Sequence, residues 1–149
     1  MQTALDFLSQ NKEVAFATSE GNRPKIRLFQ IMRQVGTTLF FATSPQKEVY
    51  HQLQQNPYVE VLASANRVSV RCSGKVSFDV DDACQRWIYD NNPVLPRLYS
   101  SYDKLAYFAL HIEEMDYYDL HPTPPVFKHF DLRTGDVGNG FVGERFATK

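Results

Sequence analysis

The sequence is short of the residues that build metal and thiol-redox centres. It holds two cysteines, Cys72 and Cys84, too few and too far apart for a zinc site or a CxxC motif. They read as free, mostly buried thiols in a reducing compartment. The four histidines (His51, His111, His121 and His129) show no H-E-x-x-H or H-x-H spacing, so no metal is expected. Neither sign of charge dominates: 16 basic against 17 acidic residues leave a formal net charge of −1. That balance argues against non-specific nucleic-acid binding. No apolar run approaches the ~20 residues of a membrane helix. The N-terminus, M-Q-T-A-L-D-F-L-S-Q, has no basic region followed by an apolar stretch. A cytoplasmic protein with no membrane and no nucleic-acid partner is therefore expected. There is no G-x-S-x-G elbow and no readable nucleophile–base pair. The acids Asp81-Asp82 and Glu113-Glu114 are adjacent, which on a strand points them to opposite sides and at a helix start is ordinary. Any chemistry is expected to belong to a cofactor.

What the chain has in quantity is aromatic: 11 Phe and 8 Tyr beside a single Trp. Such rings suit strand-rich cores and flat ligand pockets. Its 149 residues suggest one domain, expected over 1–133 with a glycine-containing tail at 134–149. Residues 3–11 read as a short helix on the stripe Ala4, Leu5 and Leu8. Strands are expected at Val14–Ser19, Lys25–Arg33, Thr38–Thr43, Tyr58–Ser64, Val68–Val80 and Leu105–Leu120. Short turns, E-G-N-R-P and V-G-T among them, imply antiparallel pairing. Gly74 marks a bulge or bend. Helices are expected over 45–55 and from Asp81-Asp82 to about Asp90, followed by an irregular break at N-N-P-V-L-P-R. The result is a mainly β (α+β) fold: a six-stranded, closed or nearly closed antiparallel barrel with two or three flanking helices.

The richest stretch is R-P-K-I-R-L-F-Q-I-M-R-Q-V followed by G-T-T-L-F-F-A-T-S-P-Q-K-E-V-Y. A strand carrying cations leads into a strand ending in hydroxyls, which open a helix. Thr43, Ser44 and Lys47 cluster at that helix start, where free N–H groups and the positive dipole end favour an anion. Arg27, on the neighbouring strand, is placed to reach the same point. Capping alone accounts for Ser44 as N-cap and Pro45 at the first helical position. Lys47 in the first turn opposes the dipole and is less well explained. Arg27 taken singly reads equally as a solvated barrel residue. Together they read as a phosphate-binding site. Lys25, Arg27, Phe29 and Ile31 share one strand face; Ile26, Leu28, Gln30 and Met32 share the other. The Gln30 amide suits the edge of a heterocycle, though alone it reads as an exposed polar residue. Arg71, mid-strand, is expected to face solvent, pair with an acid or lie at a subunit interface.

The order and spacing of V-A-F-A-T-S-E-G-N-R-P-K-I-R-L-F-Q, L-F-F-A-T-S-P-Q-K-E-V-Y-H-Q-L, Q-N-P-Y-V-E-V and V-R-C-S-G-K-V resemble the flavin-binding split barrels of the pyridoxamine 5′-phosphate oxidase type. The resemblance spans roughly residues 4–120. It implies a homodimer of six-stranded split barrels with FMN at the subunit interface. It implies that Arg27, Leu28, Phe29 and Gln30 run along the flavin, with Arg27 near the phosphate. Ala42 and Thr43 would contact the ribityl–phosphate end, and Ser44 and Lys47 would complete the phosphate shell. Ser69 and Arg71 would approach from the second subunit. In the oxidase proper a lysine closes the cationic strand; Met32 stands here instead. The oxidase's later phosphate-binding cluster and its C-terminal arginine–histidine signature also lack a match, so a short, divergent member is expected. The implied activity is an FMN-dependent oxidoreductase passing electrons from a reduced nicotinamide or similar donor to a small acceptor. A non-catalytic flavin- or haem-binding module and a deazaflavin enzyme remain alternatives.

Overall fold

The computed structural model describes residues 1–139. The chain starts with helix α1 (Gln2–Gln10), which buries Ala4, Leu5 and Leu8, the stripe its spacing predicts. Strands β1 (Glu13–Glu20) and β2 (Arg23–Gln30) form a hairpin through Gly21, which adopts φ 59°. A short strand β3 (Arg33–Val35) turns at Gly36 into β4 (Thr38–Thr43). Helix α2 (Glu48–Gln55) follows, then β5 (Tyr58–Ala65) and β6 (Val68–Ser77). Helices α3 (Asp82–Asn91) and α4 (Val94–Leu98) precede the longest strand, β7 (Ala106–Asp119). Strands β8 (Val126–Asp131) and β9 (Val137–Asn139) end the described chain.

All pairings are antiparallel, in the order β2-β1-β5-β6-β7-β4-β3, with β8 beside β7 and β9 beside β8. The path does not return on itself, so the barrel is split rather than closed. β2 is an edge, which is where Pro24 is tolerated inside a strand. Gly74 sits at the register shift between β6 and β7, and a Cβ there would run into the carbonyl of His111.

Burial explains the two sequence textures. The barrel interior is built on Phe16, Phe41 and Phe108, with Phe29 closing one side. Phe16 and Phe29 meet edge-on at 5.0 Å, and Phe41 stacks on Phe108 at 5.4 Å. A second cluster lies outside the barrel, where Ala42, Tyr107 and Ala109 pack under Ile88 and Leu95 of α3 and α4. β4 and β7 are thus covered on both faces, hence the unbroken apolar runs L-F-F-A and Y-F-A-L. β5 and β6 are covered on one face only and alternate strictly. Helices cover one half of the outer surface. The other half, β2-β1-β5-β6, leaves Ile26 72% and Leu28 65% exposed.

Several boundaries differ from the sequence reading. The expected strand Lys25–Arg33 breaks at Ile31–Met32, because Ile31 dives into the barrel core and Met32 joins the outer cluster. The N-N-P-V-L-P-R break contains α4: Pro93 takes helical φ −58° and Pro96 falls in the first turn, where no N–H is needed. The tail expected from Thr134 enters the sheet as β9, and residues 140–149 lie outside the described residues. Both cysteines are free thiols, Cys72 buried and Cys84 partly so. Burial pushes the Cys72 thiol up to about 12. No helix among the described residues is long and apolar enough to cross a membrane.

Candidate functional site

Helix α2 does not begin where the sequence suggests. Pro45 and Gln46 form a turn closed by the Lys47 amide donating to the Ser44 carbonyl at 3.0 Å. The Ser44 hydroxyl accepts from the Gln46 amide at 3.3 Å and donates to Gln46 Oε1 at 2.6 Å. That local bonding competes with helix capping. The helix starts at Glu48 instead, with Lys47 as N-cap in an extended conformation and no side-chain cap. The first N–H groups of α2 are thereby left without a side-chain acceptor.

Arg27 points inward from β2, as the strand period requires. Its Nη1 donates to Thr18 Oγ1 at 2.7 Å and to the Phe16 carbonyl at 3.2 Å, and its Nη2 donates to Gln52 Oε1 at 2.7 Å. Gln52 lies on the inner face of α2 and is 4% exposed. It also accepts from Thr18 at 2.7 Å and donates to Glu20 at 2.9 Å. The guanidinium is therefore clamped between β1 and α2 by neutral oxygens. Among the described residues it has no carboxylate at ion-pair distance. Burial lowers its pKa, and Glu48, the first residue of α2, opposes that shift. An arginine stays charged under such shifts, so this is a fixed positive charge beside the start of α2, attracted by Glu48 but with no carboxylate at ion-pair distance among the described residues.

Thr43, the last residue of β4, is 2% exposed, and its Oγ1 has no partner among the described residues. An unpaired buried hydroxyl costs about 1–3 kcal/mol. It stands directly before the Ser44–Lys47 turn, where an oxygen-rich ligand would pair it. Lys47 is exposed.

The other expected site residues fall elsewhere. Phe29 packs, partly exposed, against the aromatic core, and Ala42 is buried in the outer cluster. Leu28 and Gln30 lie exposed on the outer face of β2. Leu28 heads a row running across the sheet through Ala15, Leu62, Arg71, Asp116 and His129. Arg71 donates to Asp116 Oδ2 through Nη2 at 2.7 Å and Nε at 3.2 Å, and lies 3.6 Å from Glu60. The bond to Asp116 raises the Arg71 pKa above its ordinary value, against the burial that lowers it. Arg71 and Leu28 stand three strands apart, about 14 Å. Within one chain, Arg71 and Ser69 on the outer face do not join Arg27, which points inward. Thr18 and Gln52 were not legible as site residues. Gln52 follows Val49 by three positions on the buried stripe of α2, and that spacing was the available signal.

A family model described as pyridoxamine 5′-phosphate oxidase matches residues 1–118. The chain belongs to the pyridoxamine 5′-phosphate oxidase family. Solved structures share its fold. A NimC/NimA family protein of Clostridium acetobutylicum is 23% identical, with a TM-score of 0.73 over 87% of this chain and 93% of that one. A pyridoxamine 5′-phosphate oxidase-related, FMN-binding protein of Nostoc punctiforme is 15% identical, with a TM-score of 0.66 over 92% and 93%. A haem-binding protein of Mycobacterium smegmatis is 14% identical, with a TM-score of 0.67 over 97% of this chain and 59% of that one. A comparison with curated proteins gives no match.

Proposed function

We propose that this oxidase-family chain binds FMN as a homodimer and acts as an oxidoreductase, passing electrons from a reduced nicotinamide or similar donor to a small acceptor. The observation that carries this reading is the Arg27 charge, held by Phe16, Thr18 and Gln52 with no carboxylate at ion-pair distance among the described residues. A phosphate dianion supplies the direct ion-pair partner that Arg27 lacks. Lys47 adds a second cation, and the Thr43 hydroxyl and the open amides at the start of α2 add donors. The donor set fits a phosphate monoester better than a carboxylate, because it approaches from two strands and a helix end at once. FMN, when bound, supplies the hydride-accepting chemistry. The chain's own residues hold the phosphate and present the Gln30 end of β2 to the ring. Arg27 to Gln30 spans about 10 Å of strand, a length suited to a ribityl chain.

Ser69 and Arg71 cannot reach this ring from the same chain, so a second copy would bring them. The apolar outer face of β2-β1-β5-β6 supports that arrangement. The Met32 side chain, in the place of the oxidase's lysine, speaks against pyridoxamine 5′-phosphate as substrate.

The test is the visible spectrum of the full-length protein, as purified and after addition of FMN. A flavin spectrum is expected in the wild type, together with oxidation of NADH or NADPH. The Arg27→Ala/Lys47→Ala variant is expected to lose about two orders of magnitude in FMN affinity, two charge-assisted contacts being removed. Unchanged affinity overturns the phosphate site, and a Soret band in place of the flavin spectrum assigns the fold to haem.

A further inference from the structure

A cavity of about 440 Å³ opens where β2 ends, between α1, β3 and α3. Its walls include Lys12, Met32, Arg33, Gln34 and Trp87, and among the described residues no Asp or Glu lines it. Arg33 lies over the Trp87 indole, with its guanidinium carbon 4.5 Å from the ring centroid. One Nη contacts the Cys84 sulfur at 3.5 Å, a weak acceptor. Among the described residues neither Arg33 nor Lys12 has a carboxylate at ion-pair distance. Trp87 is 41% exposed, unusual for the chain's single indole. Gln34 is tied through its amide nitrogen to the Leu5 carbonyl at 3.0 Å, which leaves its buried Oε1 with no partner among the described residues.

We infer that this cavity is a binding site for a small anionic aromatic molecule, a ring bearing a carboxylate. A guanidinium stacked on an indole has given up its rotational freedom while keeping most of its N–H donors, which fits it for a planar, forked acceptor. Lys12 adds charge at the rim. Met32 and the exposed indole supply apolar walls for the ring. A sulfate or phosphate alone would use the cations and waste those walls. The cavity begins at Ile31–Met32, immediately beyond Gln30. It is therefore the seat of the substrate, a role that rests on the flavin reading above, whereas the binding itself does not.

The probe is 4-hydroxybenzoate, titrated into the full-length protein and followed by Trp87 fluorescence and by calorimetry. Saturable binding is expected, with the neutral 4-hydroxybenzamide at least about tenfold weaker. Arg33→Gln is expected to lose at least about tenfold, Arg33→Lys to recover part of that loss, and Lys12→Gln, at an exposed position, to lose about threefold. If Arg33→Gln does not fold, the lysine variant and Lys12→Gln carry the comparison. The Arg27→Ala/Lys47→Ala protein is expected to bind the probe as the wild type does, which separates this site from the flavin site. No saturable binding below about 10 mM overturns the inference, as does equal affinity for the amide or an Arg33→Gln protein that binds unchanged.

Discussion

At Thr43 folding and the proposed binding make opposite demands on one hydroxyl. Its methyl and backbone are packed at the end of β4, while its hydroxyl pays desolvation with no partner among the described residues. Valine keeps the shape and removes the oxygen. Thr43→Val is therefore expected to raise the stability of the ligand-free protein by about 1 kcal/mol, measured by denaturant unfolding. The same variant is expected to retain FMN about tenfold less well, measured by titration of the flavin absorbance. A hydroxyl of purely structural use would give the opposite sign in the first measurement and no change in the second. Arg27 behaves differently. It is tied into three neutral acceptors, so its removal strips partners from Thr18 and the buried Gln52 and costs stability as well as charge. Its variants must be judged against their own unfolding curves before a binding loss is read from them.

At the scale of elements, the hairpin between β5 and β6 carries a local conflict. Ala65 pairs with Val68, so the loop is two residues, and Asn66 and Arg67 both take positive φ, 49° and 65°. That is the primed turn whose twist suits a hairpin. Asparagine tolerates it; arginine does not gain from it. Arg67→Gly is expected to stabilise the fold by roughly 0.5–1 kcal/mol, read as a higher thermal midpoint with an unchanged sheet spectrum; a lower midpoint contradicts the turn assignment. Elements whose local chemistry agreed with their surroundings were legible in the sequence. The range Thr38–Thr43 is β4 itself, and Gly74 is the bulge. Elements decided by tertiary contacts were not. Ser44-Pro45 satisfies two helix-start rules at once, yet the serine hydroxyl turns to Gln46 and α2 begins three residues later than Pro45. A glutamine in a polar helix says nothing of its partner until folding brings Arg27 and Thr18 to it. The cations and hydroxyls of the proposed phosphate site come from spacing; the clamp that holds Arg27 comes only from the fold.

For the whole molecule, the decisive feature is the unequal dressing of the sheet. α3 and α4 cover the outer faces of β4 and β7, and nothing among the described residues covers Ile26 and Leu28 on β2 or Leu62 on β5. Their strand neighbours on this face, Ala15 and Ala17, are small, so Ile26 and Leu28 stand clear of them. Burying Ile26 and Leu28 against a second copy returns about 1.5–3 kcal/mol for each side chain in each subunit. A two-fold contact doubles every such gain. The charged end of the same row, Arg71 with Asp116 and His129, then lies where polar groups rim an interface. Ile26→Glu places a carboxylate on this face and touches neither the barrel core, nor Arg27, nor the residues placed along the flavin. It is expected to convert a dimer to a folded monomer at micromolar concentration by light scattering, and to weaken FMN retention in step, because Ser69 and Arg71 of the second copy no longer arrive. A variant that stays dimeric removes this face from the interface. A variant that becomes monomeric while holding FMN as tightly as before removes Ser69 and Arg71 from the flavin site.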